Sequence, residues 1–122
     1  MKIIKRSGAE VLFDINKIIS AINSANNEIV ESERLSSNDI QEIANTVEKY
    51  CASATRELNV EEIQDLVENQ LMKKNAYAVA RKYITYRYRR ALVRKANTTD
   101  EQILSIIDMS NEEVKQENKQ QL

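Results

Sequence analysis

The chain has 122 residues, 42% of them hydrophobic, and its 18 basic residues nearly balance 19 acidic ones. That length suits one domain with a modest core, and the balanced charge excludes a global field that would attract nucleic acid or an anionic membrane. Histidine is absent and Cys51 is the only cysteine, which excludes an internal disulfide, a Cys/His zinc cluster and acid–base catalysis by histidine.

Residues that break helices are almost missing from the chain. Proline does not occur and Gly8 is the only glycine, so most of the chain is predicted to be helical. No apolar run reaches the roughly 18 to 20 residues of a membrane span, and the N-terminus is charged where a signal peptide is apolar. We therefore expect a cytoplasmic protein.

Residues 2–13 predict a β-hairpin, because β-favouring side chains flank Ser7-Gly8 and the glycine can adopt a positive φ in the turn. Asp14 then predicts the cap of a first helix, which is expected to end near residues 26–27. Four isoleucines recur at helical spacing in it: Ile15, Ile18, Ile19 and Ile22.

Two further helices are predicted from their caps. A polar loop over residues 28–38 contains Ser36 and Ser37, and either serine predicts the start of a second helix. Asn59, followed by two acidic residues that the helix dipole favours, predicts a third helix.

A fourth helix is predicted from Ala76 to about Lys95, after a break near residues 74–75. Thr98 or Thr99, with acidic and amide side chains at capping-box distance, then predicts a short fifth helix. The chain beyond it is polar and is expected to be loosely ordered.

The hairpin turn carries the first candidate binding residues. Lys5 and Arg6 lie beside Gly8, where a missing Cβ lets a phosphate approach the backbone, and Lys17 lies one turn into the first helix. A turn that needs glycine for its dihedrals, with solvated cations beside it, is the alternative explanation. Asp14 is either only a helix cap or also an acceptor for an adenine amino group.

The predicted fourth helix concentrates positive charge and aromatic rings. Its basic residues are Arg81, Lys82, Arg87, Arg89, Arg90, Arg94 and Lys95, and its tyrosines are Tyr77, Tyr83, Tyr86 and Tyr88. Guanidinium groups bind phosphate in a bidentate fork and tyrosines stack on bases, so this stripe suits a triphosphate or a nucleic-acid strand. A solvated face that pairs with the acidic third helix is the alternative.

Two other features indicate structure and not chemistry. The carboxylates within residues 60–68 alternate with apolar residues at i, i+3, i+4 spacing, which is typical of a surface helix. Cys51 occupies an apolar helical position and is interpreted as an inert buried thiol.

Over roughly residues 2–95, three groups of motifs in order resemble the ATP-cone, the nucleotide-sensing domain of ribonucleotide reductases. The first group is Lys5-Arg6-Ser7-Gly8, Phe13-Asp14 and Lys17-Ile18. The second is the segment 60–68, and the third is 80–87, with its alanine-x-x-tyrosine-isoleucine-x-tyrosine-arginine pattern. Ser7 stands where the family usually has an aspartate.

The resemblance implies an α+β, mainly α fold, in which a β-hairpin lid packs on a bundle of about four helices. It implies that ATP or dATP binds between the lid and the bundle. The nucleotide would bind alone or with Mg²⁺, and the protein would supply no metal ligands. It implies phosphate contacts from Lys5, Arg6, Lys17 and Arg89, and further contacts from Arg87 and Arg90. The implied adenine and ribose contacts are Phe13, Asp14, Ile18, Val60 and Gln64. Candidates for a second nucleotide are Arg81 and Lys82.

The resemblance also implies a regulatory role, since dATP binding shuts these reductases down and ATP keeps them active, commonly by changing how subunits associate. The implied partners are adenine nucleotides, a reductase catalytic domain and a nucleotide-dependent homo-oligomer, with no membrane and no nucleic acid. Residues 1–95 would form the cone. Residues 96–122 would lead toward a catalytic domain, because they are similar to the segment that joins the cone to the catalytic domain in the anaerobic reductase. One cysteine and no glycine beyond Gly8 leave no radical site, so the chain itself is expected not to be an enzyme.

Three alternatives remain open at this point. The ATP-cone also occurs in a transcriptional repressor, although the zinc ribbon that precedes it there requires cysteines that this chain lacks. The second alternative is a helical module that binds nucleic acid through the basic fourth helix. The third is a purely structural helical adaptor.

Overall fold

The computed structural model describes the backbone of residues 1–108 and the side chains of residues 1–97. Over residues 1–108, two strands are followed by four α-helices and one short 3-10 helix, which confirms the predicted α+β, mainly α class. In chain order these elements are β1 (Lys2–Ile4), β2 (Glu10–Leu12), α1 (Ile15–Asn26), the 3-10 helix (Glu31–Glu33), α2 (Ser37–Ser53), α3 (Val60–Lys73) and α4 (Tyr77–Asp108).

The chain divides into two units. The first covers Met1–Ile84 and the second begins at Thr85, so that α4 starts in the first unit and continues into the second. The hairpin, α1, α2, α3 and the first turns of α4 all belong to the first unit.

The predicted β-hairpin is confirmed. Strands β1 and β2 pair antiparallel with Ile3 opposite Val11. The turn is closed by hydrogen bonds from Lys5 N to Ala9 O, at 2.8 Å, and from Gly8 N to Lys5 O, at 2.9 Å. Gly8 has a φ of 89°, a value that side chains with a Cβ rarely adopt.

The predicted caps of the first two helices are also confirmed. Asp14 Oδ1 accepts a hydrogen bond from Asn16 N at 3.0 Å, and Ser36 Oγ accepts one from Asp39 N at 3.1 Å. Each bond satisfies a backbone donor that has no partner within its own helix.

The start of α3 has a complete capping box. Asn59 Oδ1 accepts from Glu62 N at 2.9 Å, and Glu62 Oε1 accepts from Asn59 N at 3.1 Å. Arg56 adds a two-point contact to the same carboxylate, with 2.8 Å between Nη1 and Oε1. The hydrogen bond from Arg56, followed by that from the Asn59 backbone, lowers the pKa of Glu62 from its ordinary 4.5 to about 2.

All four helices contribute to one core in the first unit. Ile22 of α1, Ile43 of α2, Leu71 of α3 and Val79 of α4 have no exposed surface. Their spacing with neighbouring apolar residues follows the helical repeat, which is why each helix buries a single face.

A buried amide attaches the loop after α1 to this core. Asn26 is 6% exposed, its Nδ2 donates to Leu35 O at 3.0 Å, and its Oδ1 accepts from Leu35 N at 2.8 Å. Both polar ends of the side chain are therefore satisfied, as burial requires.

The predicted break between the third and fourth helices is confirmed, since Asn75 adopts a left-handed φ of 60° and α4 begins at Tyr77. The predicted separate fifth helix is wrong, because α4 continues through Thr98 and Thr99 to Asp108. A threonine caps a helix only where the backbone leaves helical geometry, and no glycine or proline in this segment forces it to do so. The polar tail over residues 109–122 lies outside the described residues.

Within the described part of the chain, no helix has an apolar stretch long enough to cross a membrane.

Truncation of Ile22 tests the shared core. We expect Ile22→Ala to lower the free energy of unfolding by about 2–5 kcal/mol, because it removes buried methyl groups and leaves a cavity. Urea denaturation measures this change. Val30→Ala is the control, because Val30 is 62% exposed and its truncation should change the stability little; an equal loss in both variants would contradict the assignment of the core.

The Arg56–Glu62 contact predicts a pH-dependent stability. The folded-state pKa of Glu62 lies below its ordinary value, so its contribution is complete above about 4.5 and is lost as the pH falls toward 2. Glu62→Gln should therefore lower the melting temperature at pH 7, and its difference from the parent protein should shrink over that acid range. Glu31→Gln, at an exposed position in the 3-10 helix, should show no such pH-dependent difference.

Candidate functional site

The hairpin is joined to the start of α3 through the backbone. Ile4 N donates a hydrogen bond to Leu58 O at 3.0 Å, and Ile4 forms a parallel bridge with Asn59. The turn that follows β1 is therefore held beside the first turn of α3, although the two segments are far apart in the sequence.

A cavity of about 430 Å³ lies between this turn and α3. Its lining residues are Ile4, Lys5, Arg6, Gly8, Asn59, Val60 and Glu61. Two predicted phosphate ligands, Lys5 and Arg6, thus share one cavity with Val60, which was predicted at the nucleoside end. A Cβ on Gly8 would meet nothing within 4 Å, so the positive φ, and not lack of space, is what requires glycine here.

Arg6 connects the hairpin turn to two side chains of α3. Its Nη2 donates to Gln64 Oε1 at 3.2 Å, and its Nε lies 3.5 Å from Glu61 Oε1. The arginine side chain is 32% exposed, and the glutamate is 64% exposed. The structure therefore brings the predicted residues Arg6 and Gln64 into direct contact.

Four other predicted residues lie at the start of α1, outside the lining of this cavity. Ile18 is buried in the core at 9% exposure, and Phe13 is half-buried against that core. Asp14 caps the helix, and Lys17 is exposed in its first turn, with its backbone N bonded to Asp14 O at 3.1 Å.

Arg81, predicted for a second nucleotide, lines a separate cavity of about 430 Å³ between the loop after α1 and the start of α4, whereas Lys82 is exposed and does not line it. Two other cations of this cavity have partners within the protein. Arg34 donates to backbone carbonyls at 3.0 and 3.2 Å, and Lys74 pairs with Glu42 at 2.9 Å. The hydrogen bond to Glu42 is the main reason why the pKa of Lys74 is raised.

Arg87, Arg89 and Arg90 lie on α4 in the second unit. Arg89 and Arg90 are exposed, and Arg87 is half-buried. Their assignment to a nucleotide's phosphates stays a prediction.

The sequence did not single out Asn59 or Glu61 as cavity residues. The sequence predicts Asn59 as a cap, which it is, and Glu61 as a surface acid favoured by the helix dipole. The spacing of Glu61 and Gln64 predicts part of this arrangement. Glu61 precedes Gln64 by three residues, so the two side chains share one face of the helix. The sequence does not predict that this face of α3 contacts Arg6.

Comparison with known proteins places this arrangement in a family. The family model described as an ATP cone domain matches residues 1–92. The chain belongs to the ATP-cone family. Residues 1–92 include the hairpin, the cavity and the whole of α1, α2 and α3.

The cone is similar in sequence to parts of longer ribonucleotide reductases. It is 35% identical over 118 residues to an anaerobic ribonucleoside-triphosphate reductase of Haemophilus influenzae, covering 95% of the chain and 16% of the relative. It is 33% identical over 108 residues to a ribonucleoside-diphosphate reductase subunit alpha of Chlamydia trachomatis, covering 82% of the chain and 10% of the relative. The same subunit of Chlamydia muridarum is 33% identical over 112 residues, or 85% of the chain and 11% of the relative. The cone thus spans between a tenth and a sixth of the length of these relatives.

The turn of the cone's hairpin predicts a graded response to substitution. Gly8→Ala should lower the free energy of unfolding by about 1–2 kcal/mol, because an L-residue is strained at this φ although its Cβ has room. Gly8→Asn should cost less, since asparagine tolerates positive φ better than other residues with a Cβ. Urea denaturation of both variants checks the order, and an Ala variant as stable as the parent would show that the turn relaxes to another conformation.

Proposed function

We propose that this cone binds ATP or dATP and regulates the overall activity of a ribonucleotide reductase, without being a catalyst itself. The observation that carries the proposal is the cavity in which Lys5 and Arg6 of the hairpin turn lie beside Val60, with Arg6 reaching Gln64 on α3. Membership of the ATP-cone family and similarity to reductases of both named kinds support it.

The charge of the cavity suits the polyphosphate end of a nucleotide. Lys5 supplies a compact ammonium and Arg6 a planar fork that matches two phosphate oxygens. The positive end of the α3 dipole favours an anion in the same place. We assign Lys17, Arg87, Arg89 and Arg90 as further phosphate contacts, and Phe13, Asp14 and Ile18 to the adenine end.

Discrimination between ATP and dATP depends on one ribose hydroxyl. We assign it to a contact near Val60 or Gln64, where a single hydrogen bond contributes about 0.5–1.5 kcal/mol. Binding of dATP would switch the parent enzyme off, and ATP would keep it active. The bound nucleotide would act on the catalytic domain and on the formation of a homo-oligomer. The protein would work in the cytoplasm. Glu61 is the only carboxylate among the cavity's lining residues, so Mg²⁺, where it accompanies the nucleotide, is held mainly by the phosphates.

Thermal unfolding with added nucleotide tests the binding site. Either ATP or dATP at a hundred times its dissociation constant should stabilise the cone by about 2.7 kcal/mol and raise its melting temperature. Substituting both Lys5 and Lys17 by Ala should abolish this shift, because charge-assisted hydrogen bonds to phosphate are lost. Lys49→Ala on the exposed side of α2 is the matched control and should keep the shift. A shift that survives in the double variant would contradict the assigned phosphate site.

Titration with GTP and with a short single-stranded DNA separates the alternatives. A nucleotide sensor responds to ATP and dATP and not to the strand. Affinity for the strand that falls steeply with salt, without a response to mononucleotides, would instead identify a nucleic-acid module on α4. No response to any ligand would identify a structural adaptor.

A further inference from the structure

The ion pair between Arg6 and Glu61 lies inside the cavity assigned to the nucleotide's phosphates. Both side chains line that cavity, and the Nε–Oε1 distance between them is 3.5 Å. A carboxylate beside the phosphate ligands is unexpected, since it repels the anion that the site is meant to hold.

The geometry of the Arg6 guanidinium shows which of its groups a phosphate and Glu61 would both need. Nε and Nη2 of an arginine point their N–H groups in the same direction and form one of its two-pronged edges. On Arg6, Nε lies 3.5 Å from Glu61 Oε1 and Nη2 donates to Gln64, so the two contacts involve the two nitrogens of this one edge. A phosphate that binds bidentately along this edge has to replace both of them.

We infer that Glu61 is an affinity-setting residue, which holds Arg6 against α3 when the cavity is empty and competes with the nucleotide's phosphates for it. The inference rests on the proposed nucleotide site. Removal of the carboxylate charge leaves the guanidinium available to the phosphates and takes one negative charge out of the cavity. Glu61 then lowers the affinity for ATP and dATP alike, because the polyphosphate is common to both.

The size of the effect follows from the exposure of the pair. Exposed ion pairs contribute little to an equilibrium because water screens them, and here the glutamate side chain is 64% exposed. A two- to fivefold change in affinity, roughly, is the expected range for such a pair.

Isothermal titration of the parent protein and Glu61→Gln with dATP and with ATP, in a buffer containing EDTA, tests this inference. The variant should bind both nucleotides about two- to fivefold more tightly. Glu28→Gln is the matched control: it makes the same charge change at an exposed position of the loop after α1 and should bind like the parent. Melting temperatures of both variants without ligand verify that each is folded.

A double-substitution cycle shows whether the effect acts through Arg6. In an Arg6→Ala background, which binds more weakly, the further change Glu61→Gln should improve the affinity no more than Glu28→Gln does. Equal tightening with and without Arg6 would overturn the competition and leave only a general charge effect.

The remaining outcomes also decide the question. Glu61→Gln binding that equals the parent, or is weaker in EDTA, overturns the inference while nucleotide binding stands. Weaker binding of the variant only when Mg²⁺ is present, with no tightening in EDTA, overturns it as well and makes Glu61 a support for the metal. A parent protein that binds neither ATP nor dATP overturns the proposed function and this inference together.

Discussion

The hydrogen bond from Ile4 N to Leu58 O is the contact on which the site depends. It places the end of β1 beside the residue that caps α3, and the bridge between Ile4 and Asn59 sets the register. The next two residues along the chain, Lys5 and Arg6, line the cavity beside the first turn of the helix. Because these are main-chain interactions, they do not require particular side chains at positions 5 and 6, which are occupied by cations.

The first turn of α3 separates two uses of acidic side chains. Glu62 is held by the backbone of Asn59 and by Arg56, so its charge stabilises the helix start. Glu61, the preceding residue, lies 3.5 Å from Arg6 Nε and lines the cavity together with it. Both carboxylates benefit from the positive end of the helix dipole, but Glu61, and not Glu62, is among the residues that line the cavity. Glu62 therefore serves stability, whereas the neighbouring Glu61 is the acid that competes with the ligand in the proposed site.

How far the sequence predicts this molecule depends on the range of the interactions. Asp14, Ser36 and Asn59 were predicted as caps because capping involves residues two or three positions apart. Thr98 and Thr99 have the same local pattern, yet α4 continues through them, since a cap signal does not end a helix that nothing interrupts. In the site, Lys5 and Arg6 could be predicted as phosphate ligands because they lie next to Gly8 in the sequence. The contact of Arg6 with Glu61 and Gln64 could not be predicted, because it depends on how the hairpin docks on α3.

A sensor gains from an affinity that is limited as well as specific. Its occupancy changes most steeply when the ligand concentration is close to the dissociation constant, so a site that binds too tightly stays saturated and reports nothing. Two cations at a helix N-terminus, with no opposing charge, would favour any polyphosphate strongly. In the proposed site, Glu61 lowers that affinity for ATP and dATP alike, because it competes with a polyphosphate that both nucleotides share. Affinity and selectivity stay linked in this proposed site through Gln64, which is assigned to the ribose and accepts a hydrogen bond from the same edge of Arg6 that pairs with Glu61.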